Sequence, residues 1–347
     1  MPALRDARRF TPARALRVGA GLSALLLAVA AASLLLGSSG VGWRDLVAIL
    51  TGGGSDEART ILADVRLPRV LLAVVVGAAL SAAGGALQSA LRNPLADPYV
   101  LGLSGGAGLG AILWSALVAG AADTAFAAAT RPAAAFAGAL LAVLGLLGLS
   151  GVRGRRGTET MLLMGVVINA TFIALILFVI TVADISRYQG VLYWLVGSLA
   201  PPSGAGLAII YICVAAGVAA LTLLGGHLNL MTAGEETAEQ LGSPVRRVRL
   251  LVILAACLVT AAAVSVSGLI GFVGLMVPHL ARIWLGPDNR LLIPASALLG
   301  GAILTVADTL ARVAFAPTQI PVGVITALAG GPCFLWLFSR RGAGGEP

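Results

Sequence analysis

"LNLMTAGEETAEQLGSP", residues Leu228 to Pro244, carries three glutamates and lies between two long apolar stretches at 207–224 and 248–267. A turn of about four residues is enough to join two antiparallel helices. This segment is longer, and its residues specify a shape. Thr232 followed by Glu235 fits the Thr-x-x-Glu capping box. Glu235, Glu236 and Glu239 put negative charge early in a helix, where the backbone dipole favours it. Ala238 and Leu241 form a small apolar face. Gly242 suits a left-handed helix end, and Pro244 prevents continuation. Arg246, Arg247 and Arg249 then mark the start of the next apolar stretch. The reading is a short, capped polar helix between two segments long enough to cross a bilayer, which takes about 20 mostly apolar residues.

The same criterion, applied outward, finds ten such stretches: 18–36, 68–90, 99–119, 132–150, 160–182, 207–224, 248–267, 268–285, 291–311 and 321–339. The two that abut at 267 are divided by Ser265, Ser267 and Gly268, since 38 residues exceed one span. Composition agrees: 59% of residues are hydrophobic, mean hydropathy is +0.98, and 11% are charged, against about 25% in a soluble domain. The expected architecture is an all-α integral membrane protein forming one domain over 1–347. It has an N-terminal tail at 1–17, the polar loop at 228–249 and a C-terminal tail at 340–347. Many of the 45 glycines fall inside the spans, as in "GLSGGAGLGA" (102–111) and "GLIGFVGL" (268–275). Small residues let helix backbones approach closely in lipid, so packing is their expected role.

Orientation follows from charge. With ten spans, both tails lie on one side together with 91–98, 151–159, 225–247 and 286–290. That side, counted with Arg249 and Arg282, holds sixteen arginines against eight acids; the other holds seven of each. The arginine excess marks the cytoplasmic face. The first stretch follows five arginines like a signal peptide, but its apolar core is too long and more spans follow, so it reads as an uncleaved first span.

Several functions are excluded or disfavoured. All 23 basic residues are arginine, and the phosphate-binding G-x-x-x-x-G-K-[ST] loop requires lysine, so this chain holds no such ATP site. Cys213, Cys257 and Cys333 lie in apolar stretches without metal or disulfide spacing, and two histidines, His227 and His279, cannot make a His-rich metal site. No cofactor, resident metal, catalytic residue or nucleic-acid partner is expected. An ion-coupled secondary transporter is the alternative; such carriers bury ionisable groups near the midplane, whereas the acids here sit near loops or span ends.

A resemblance sharpens this. The stretches "RLPRVLLAVVVGAALSAAGGALQSALRNPLADPYVLGLSGGAGLGA" (66–111), "YWLVGSLA" (193–200), "LNLMTAGEETAEQLG" (228–242), "GLIGFVGLMVPHLAR" (268–282) and "PVGVITALAGGPCFLWLFSRR" (321–341) resemble, in order, the FecCD-type permeases. These are membrane subunits of ABC importers for iron chelates, haem and cobalamin. The resemblance implies a type II ABC importer permease of ten spans in the bacterial cytoplasmic membrane, with both termini cytoplasmic. It implies a second permease subunit, making a homodimer or a closely similar heterodimer, two cytoplasmic ATPase subunits and a periplasmic or lipid-anchored binding protein that delivers the chelate. It also implies that 228–249 holds the coupling helix seated on the ATPase, with Thr232, Glu235, Glu236, Ala238, Leu241 and Gly242 at the contact.

Other positions have two readings. Arg66 and Arg69 flank Pro68 at the outer end of the second span, and Arg312 ends the ninth. Terminal arginines commonly snorkel; the resemblance implies docking to carboxylates of the binding protein, a contact in which charge sets register and encounter. Asp308, four residues before Arg312, could instead pair with it. "RNPLADP" (92–98) breaks the chain at two prolines, and Asn93 and Asp97 are expected extended or turn-like, making a rigid hinge with ATPase contact as the lesser reading. Asn169 serves as interhelical glue or lines the route. Thr158 and Glu159 match the inner gate region of the family. Pro278 and His279 read as a kinked polar helix end. Gln319 departs from the family, which commonly has an acid there.

Overall fold

In a computed structural model the described residues are 10–37, 39–118, 125–150, 158–182, 193–200, 206–316 and 318–343. They form α1 (Pro12–Leu35), α2 (Trp43–Leu50), α3 (Asp56–Ala90), α4 (Leu103–Leu117), α5 (Ala125–Ser150), α6 (Thr158–Val182), α7 (Gly206–Leu223), α8 (Gly225–Ala233), α9 (Glu235–Gln240), α10 (Val245–Ser267), α11 (Val273–Leu285), α12 (Asn289–Val313) and α13 (Val322–Ala343). The expected loop at 151–157 and the ends of both tails, 1–9 and 344–347, lie outside the described residues.

Each of the ten apolar stretches falls on one of these helices. α1, α3, α5, α6, α10 and α12 contain windows long and apolar enough to cross a membrane; α7 continues into α8 through a 45° bend; α4, α11 and α13 carry shorter apolar helices. The stretch 268–285 is not helical throughout. α10 stops at Gly268, whose φ of +66° suits glycine, and Phe272 is also left-handed at +67° before α11 begins. A Cβ on Gly268 would lie 1.8 Å from the Trp194 carbonyl, so the chain can pass only as glycine. The irregular backbone is satisfied inside the protein, as a low-dielectric setting requires: Ile270 N–H donates to the Tyr99 hydroxyl at 3.0 Å, and Ser198 N–H to the Ser267 carbonyl at 2.8 Å.

α3 is the central element. Its window is 78% buried, as is that of α12, and α10 follows at 72%. α1 and α6 are 6% and 11% buried and present apolar side chains outward. The intimacy of the centre comes from glycine. A Cβ on Gly77 would stand 2.2 Å from the Gly300 carbonyl oxygen, and one on Gly84 would stand 1.9 Å from that of Gly274. Lipid tails give no hydrophobic drive between helices, so this close dispersion contact holds α3 to α12 and α11.

Candidate functional site

The polar segment leaves the body as two short helices. α8 prolongs α7 at an angle, Gly234 breaks it at φ +131° and ψ 145°, and α9 follows. The expected Thr232–Glu235 capping box is absent. Thr232 lies within α8, where its hydroxyl donates to the Asn229 carbonyl at 2.8 Å, and α9 starts after Gly234 without a side-chain cap. The reason is local: Gly234 adopts a backbone angle that Thr232 cannot, so the break falls two residues later. Glu235 pairs instead with Arg249 at the base of α10. Gly242 has φ +81°, as its place after the helix requires, and Ser243 N–H closes the turn on the Ala238 carbonyl at 2.9 Å.

The exposed surface of this segment is made by Thr232, Glu236, Glu239, Gly242 and Leu241, the last 63% exposed. Ala238 is fully buried, in the apolar cluster that includes Leu228, Met231, Val245 and Val248. It supports α9 from behind and is not part of an outward apolar face; Leu241 alone of that pair points out. The spacing Ala238–Leu241 could not show this, because which side of a six-residue helix faces its own chain is set by α8 and α10.

A buried polar lock fixes the root of the segment. Asn229 Nδ2 donates to Asp288 Oδ1 at 2.7 Å, and Asn229 Oδ1 accepts from Asn289 N and Nδ2 at 2.8 and 3.0 Å. Asn289 Oδ1 in turn accepts from the Ser89 hydroxyl at 2.6 Å. Burial acts to raise the Asp288 carboxyl, but hydrogen bonds from Arg290 and Asn229 and the Arg290 charge hold it below its ordinary value. One chain of contacts therefore ties α8 to the ends of α3 and α12. Sequence reasoning missed it. The available signals were a lone amide in "LNL" and Asp288 as N-cap of α12, whose side chain accepts from Arg290 N.

On the opposite side, the three arginines are built into the fold. Arg66 is 4% exposed and donates to the carbonyls of Leu34 (2.7 Å) and Val41 (3.0 Å) and to the Ser39 hydroxyl (2.7 Å). It ends a π-helical turn, Thr60–Arg66, and staples it to the end of α1. Asp308, 1% exposed, takes a forked contact from Arg69 (3.0 and 2.9 Å) and another from Arg312 Nε (3.0 Å). Arg312 also donates to the Ser33 hydroxyl at 2.8 Å, and Arg69 Nη1 to Gln319 Oε1 at 2.9 Å. The Asp308–Arg312 pairing is thus realised. Arg66 and Arg312 are internal struts, while Arg69 keeps more of its side chain at the surface.

Asn169 acts as glue: its Oδ1 accepts from Ser104 Oγ at 3.0 Å and Gly105 N at 2.9 Å, joining α6 to the start of α4. Thr158 and Glu159 lie in the first turn of α6; their side chains are outside the described residues. "RNPLADP" is ordered as the prolines demand. Asn93 Oδ1 accepts from Leu95 N at 2.9 Å, and Asp97, at φ −134° and ψ 140°, accepts from Tyr99 N at 2.8 Å. Burial pushes the Asp97 carboxyl up to about 6 against that hydrogen bond. A folded value above the unfolded one, about 3.9, means the fold favours the protonated form. That contribution is complete below about pH 4, falls as pH rises and is gone above about pH 6, a loss on the order of 2–3 kcal/mol. Asp97→Asn should therefore match the parent near pH 3.5 but protect the amides of 91–101 from hydrogen exchange more strongly at pH 7.5; equal pH slopes in the two proteins would refute the assignment.

Among the described residues no group of three or more His, Cys, Asp or Glu could hold a metal ion. The segment 228–249 is a shaped, charged protrusion rooted in the central helices. A family model described as the FecCD transport family matches residues 25–340. The chain belongs to that family. A cobalamin import system permease protein, BtuC, of Halobacterium salinarum is 40% identical over 312 residues, covering 88% of this chain and 81% of that protein. A hemin transport system permease protein, HmuU, of Yersinia pestis is 38% identical over 319 residues, covering 91% and 93%. A solved structure, assigned to the metal-chelate type of ABC transporter in an inward-facing conformation, superposes with a TM-score of 0.79 at 30% identity over 93% of this chain and 99% of that one. This FecCD-family chain is thus a multi-pass membrane protein of the transporter permease type, and the polar segment 228–249 lies within the matched region.

Proposed function

We infer that this chain is the permease subunit of a binding-protein-dependent ABC importer that carries a metal chelate, of the iron-siderophore, haem or cobalamin class, across the cytoplasmic membrane. The observation that carries the reading is the match to FecCD permeases over nearly the whole chain together with a polar protrusion locked to α3 and α12. Two copies enclose the route, and α8–α9 seats on a separate ATPase subunit, with Leu241 as the apolar contact and Glu236, Glu239 and Gly242 around it. Rigid anchoring is what a transmitting element needs: Asn229, Asn289 and Ser89 carry its displacement into the helices that pack the body. Both termini face the cytoplasm, and the Arg69 rim receives an acidic surface of the binding protein, with Arg66 and Arg312 holding the rim in shape. Thr158 and Glu159 stand at the inner mouth, and Asn169 sets the spacing of α6 and α4 beside the route.

The test is reconstitution. Purified permease in nanodiscs should hydrolyse no ATP; adding its ATPase should give turnover, and adding chelate-loaded binding protein should raise it. Nucleotide turnover by the permease alone, or chelate uptake driven by an ion gradient without ATPase, would refute the reading.

A further inference from the structure

A cleft of about 190 Å³ opens beside the polar segment and is lined by Gln88, Arg92, Pro94, Thr232, His279 and Arg282. Two guanidiniums, an imidazole, an amide and a hydroxyl surround it, and none of these lining residues is a carboxylate. The walls are fixed from behind: Gln88 Nε2 donates to the Leu275 carbonyl at 3.1 Å, and Arg282 reaches the Ser89 hydroxyl at 3.4 Å. The lining comes from α3, the 91–98 loop, α8 and α11, so a group seated here touches all four at once.

Arg92 is the informative member. α3 ends in a Schellman turn, with Arg92 N–H bonded to the Ser89 carbonyl and Asn93 N–H to the Gln88 carbonyl. The residue at this position of the turn is left-handed and is usually glycine. Here it is arginine at φ +49°, exposed to solvent. Such a conformation costs a non-glycine residue on the order of 1 kcal/mol. The fold tolerates that cost and gains a guanidinium at the mouth of the cleft.

We propose that this cleft receives an acidic side chain of the ATPase subunit, as a second contact beside α9. The proposal rests on the importer reading above. Its geometry favours a protein carboxylate over a lipid headgroup. The cleft lies at the end of α3, one of the two most buried spans. His279 and Arg282 line it from one side of α11, while Trp284, 70% exposed, lies on the other. Leu95, 43% exposed on the same loop as Arg92, adds an apolar anchor of the kind protein interfaces use. A carboxylate forked by guanidinium groups is the pairing this lining is shaped for.

Arg92→Gly separates charge from folding, because it relieves the backbone while removing the guanidinium. The expected result is an unchanged or slightly raised thermal midpoint, an ATPase affinity lowered about tenfold and a flatter dependence of that affinity on salt. Arg92→Glu should weaken binding further, and Arg92→Lys should retain most of it. ATPase affinity and salt slope equal to the parent in both Arg92→Gly and Arg92→Glu would overturn the cleft assignment while leaving the importer reading intact. Unaltered ATPase affinity with loss of co-purifying phosphatidylglycerol would overturn it in favour of a lipid site. A parent permease that holds no ATPase would remove both readings together.

Discussion

Asp308→Ala should destabilise the permease by about 3–5 kcal/mol, because it leaves the buried Arg312 and the part-exposed Arg69 around a missing carboxylate. Asp308 is 1% exposed and is the shared acceptor for both guanidiniums. α1, α3 and α12 meet through these contacts, and the thermal midpoint of the protein in detergent should fall by several degrees. Binding-protein association should weaken with it, since Arg69 loses its orienting partner. Gln319→Glu should recover part of the loss: residue 319 already lies 2.9 Å from Arg69 Nη1, and a carboxylate there supplies a second counter-charge. An unchanged midpoint for Asp308→Ala would show that the cluster is not the strut described. Absence of rescue by Gln319→Glu would show that the two positions do not share Arg69.

The second large effect is expected at α9. Ala238→Trp cannot fit where Ala238 is fully buried between its own helices; overpacking costs about 1–3 kcal/mol and is relieved by moving the surface helix, the least anchored neighbour. ATPase association should drop by more than tenfold while the body of the permease stays folded. Leu241→Asp reaches the same end without strain. It removes an exposed apolar anchor, for which an interface centre stakes about 2 kcal/mol or more, so affinity should fall roughly thirtyfold with no change in thermal midpoint. Glu239→Gln, on the solvent side, should matter little. Gly242→Val adds left-handed strain at φ +81° with no atom near its Cβ, and so perturbs the turn through backbone alone. Co-purification of the ATPase with each variant measures the series. Parent-like binding by both Ala238→Trp and Leu241→Asp would reduce the polar segment to a connector.

What the amino-acid sequence determined by itself was set by local rules. Apolar length is enough to mark helices, so each stretch from 18–36 to 321–339 falls on a helix, and six of these, or seven with the bent α7–α8 pair, are long and apolar enough to cross a membrane among the described residues. Proline forces its predecessor to extend, so Asn93 and Asp97 were legible, and the left-handed turn at Gly242 followed from glycine after a helix. The quoted motifs were enough to name the FecCD family. Tertiary structure alone decided the rest. Ala238 faces inward because α8 and α10 enclose it; Arg66 is a strut because the end of α1 offers it carbonyls; position 268 must be glycine because the Trp194 carbonyl lies beside it. The Asn229–Asn289–Ser89 lock joins residues 60 and 200 positions apart. A side chain's partner across such distances depends on where whole helices cross, and those crossings are set by the sum of glycine contacts along α3 and not by any one segment's own preference.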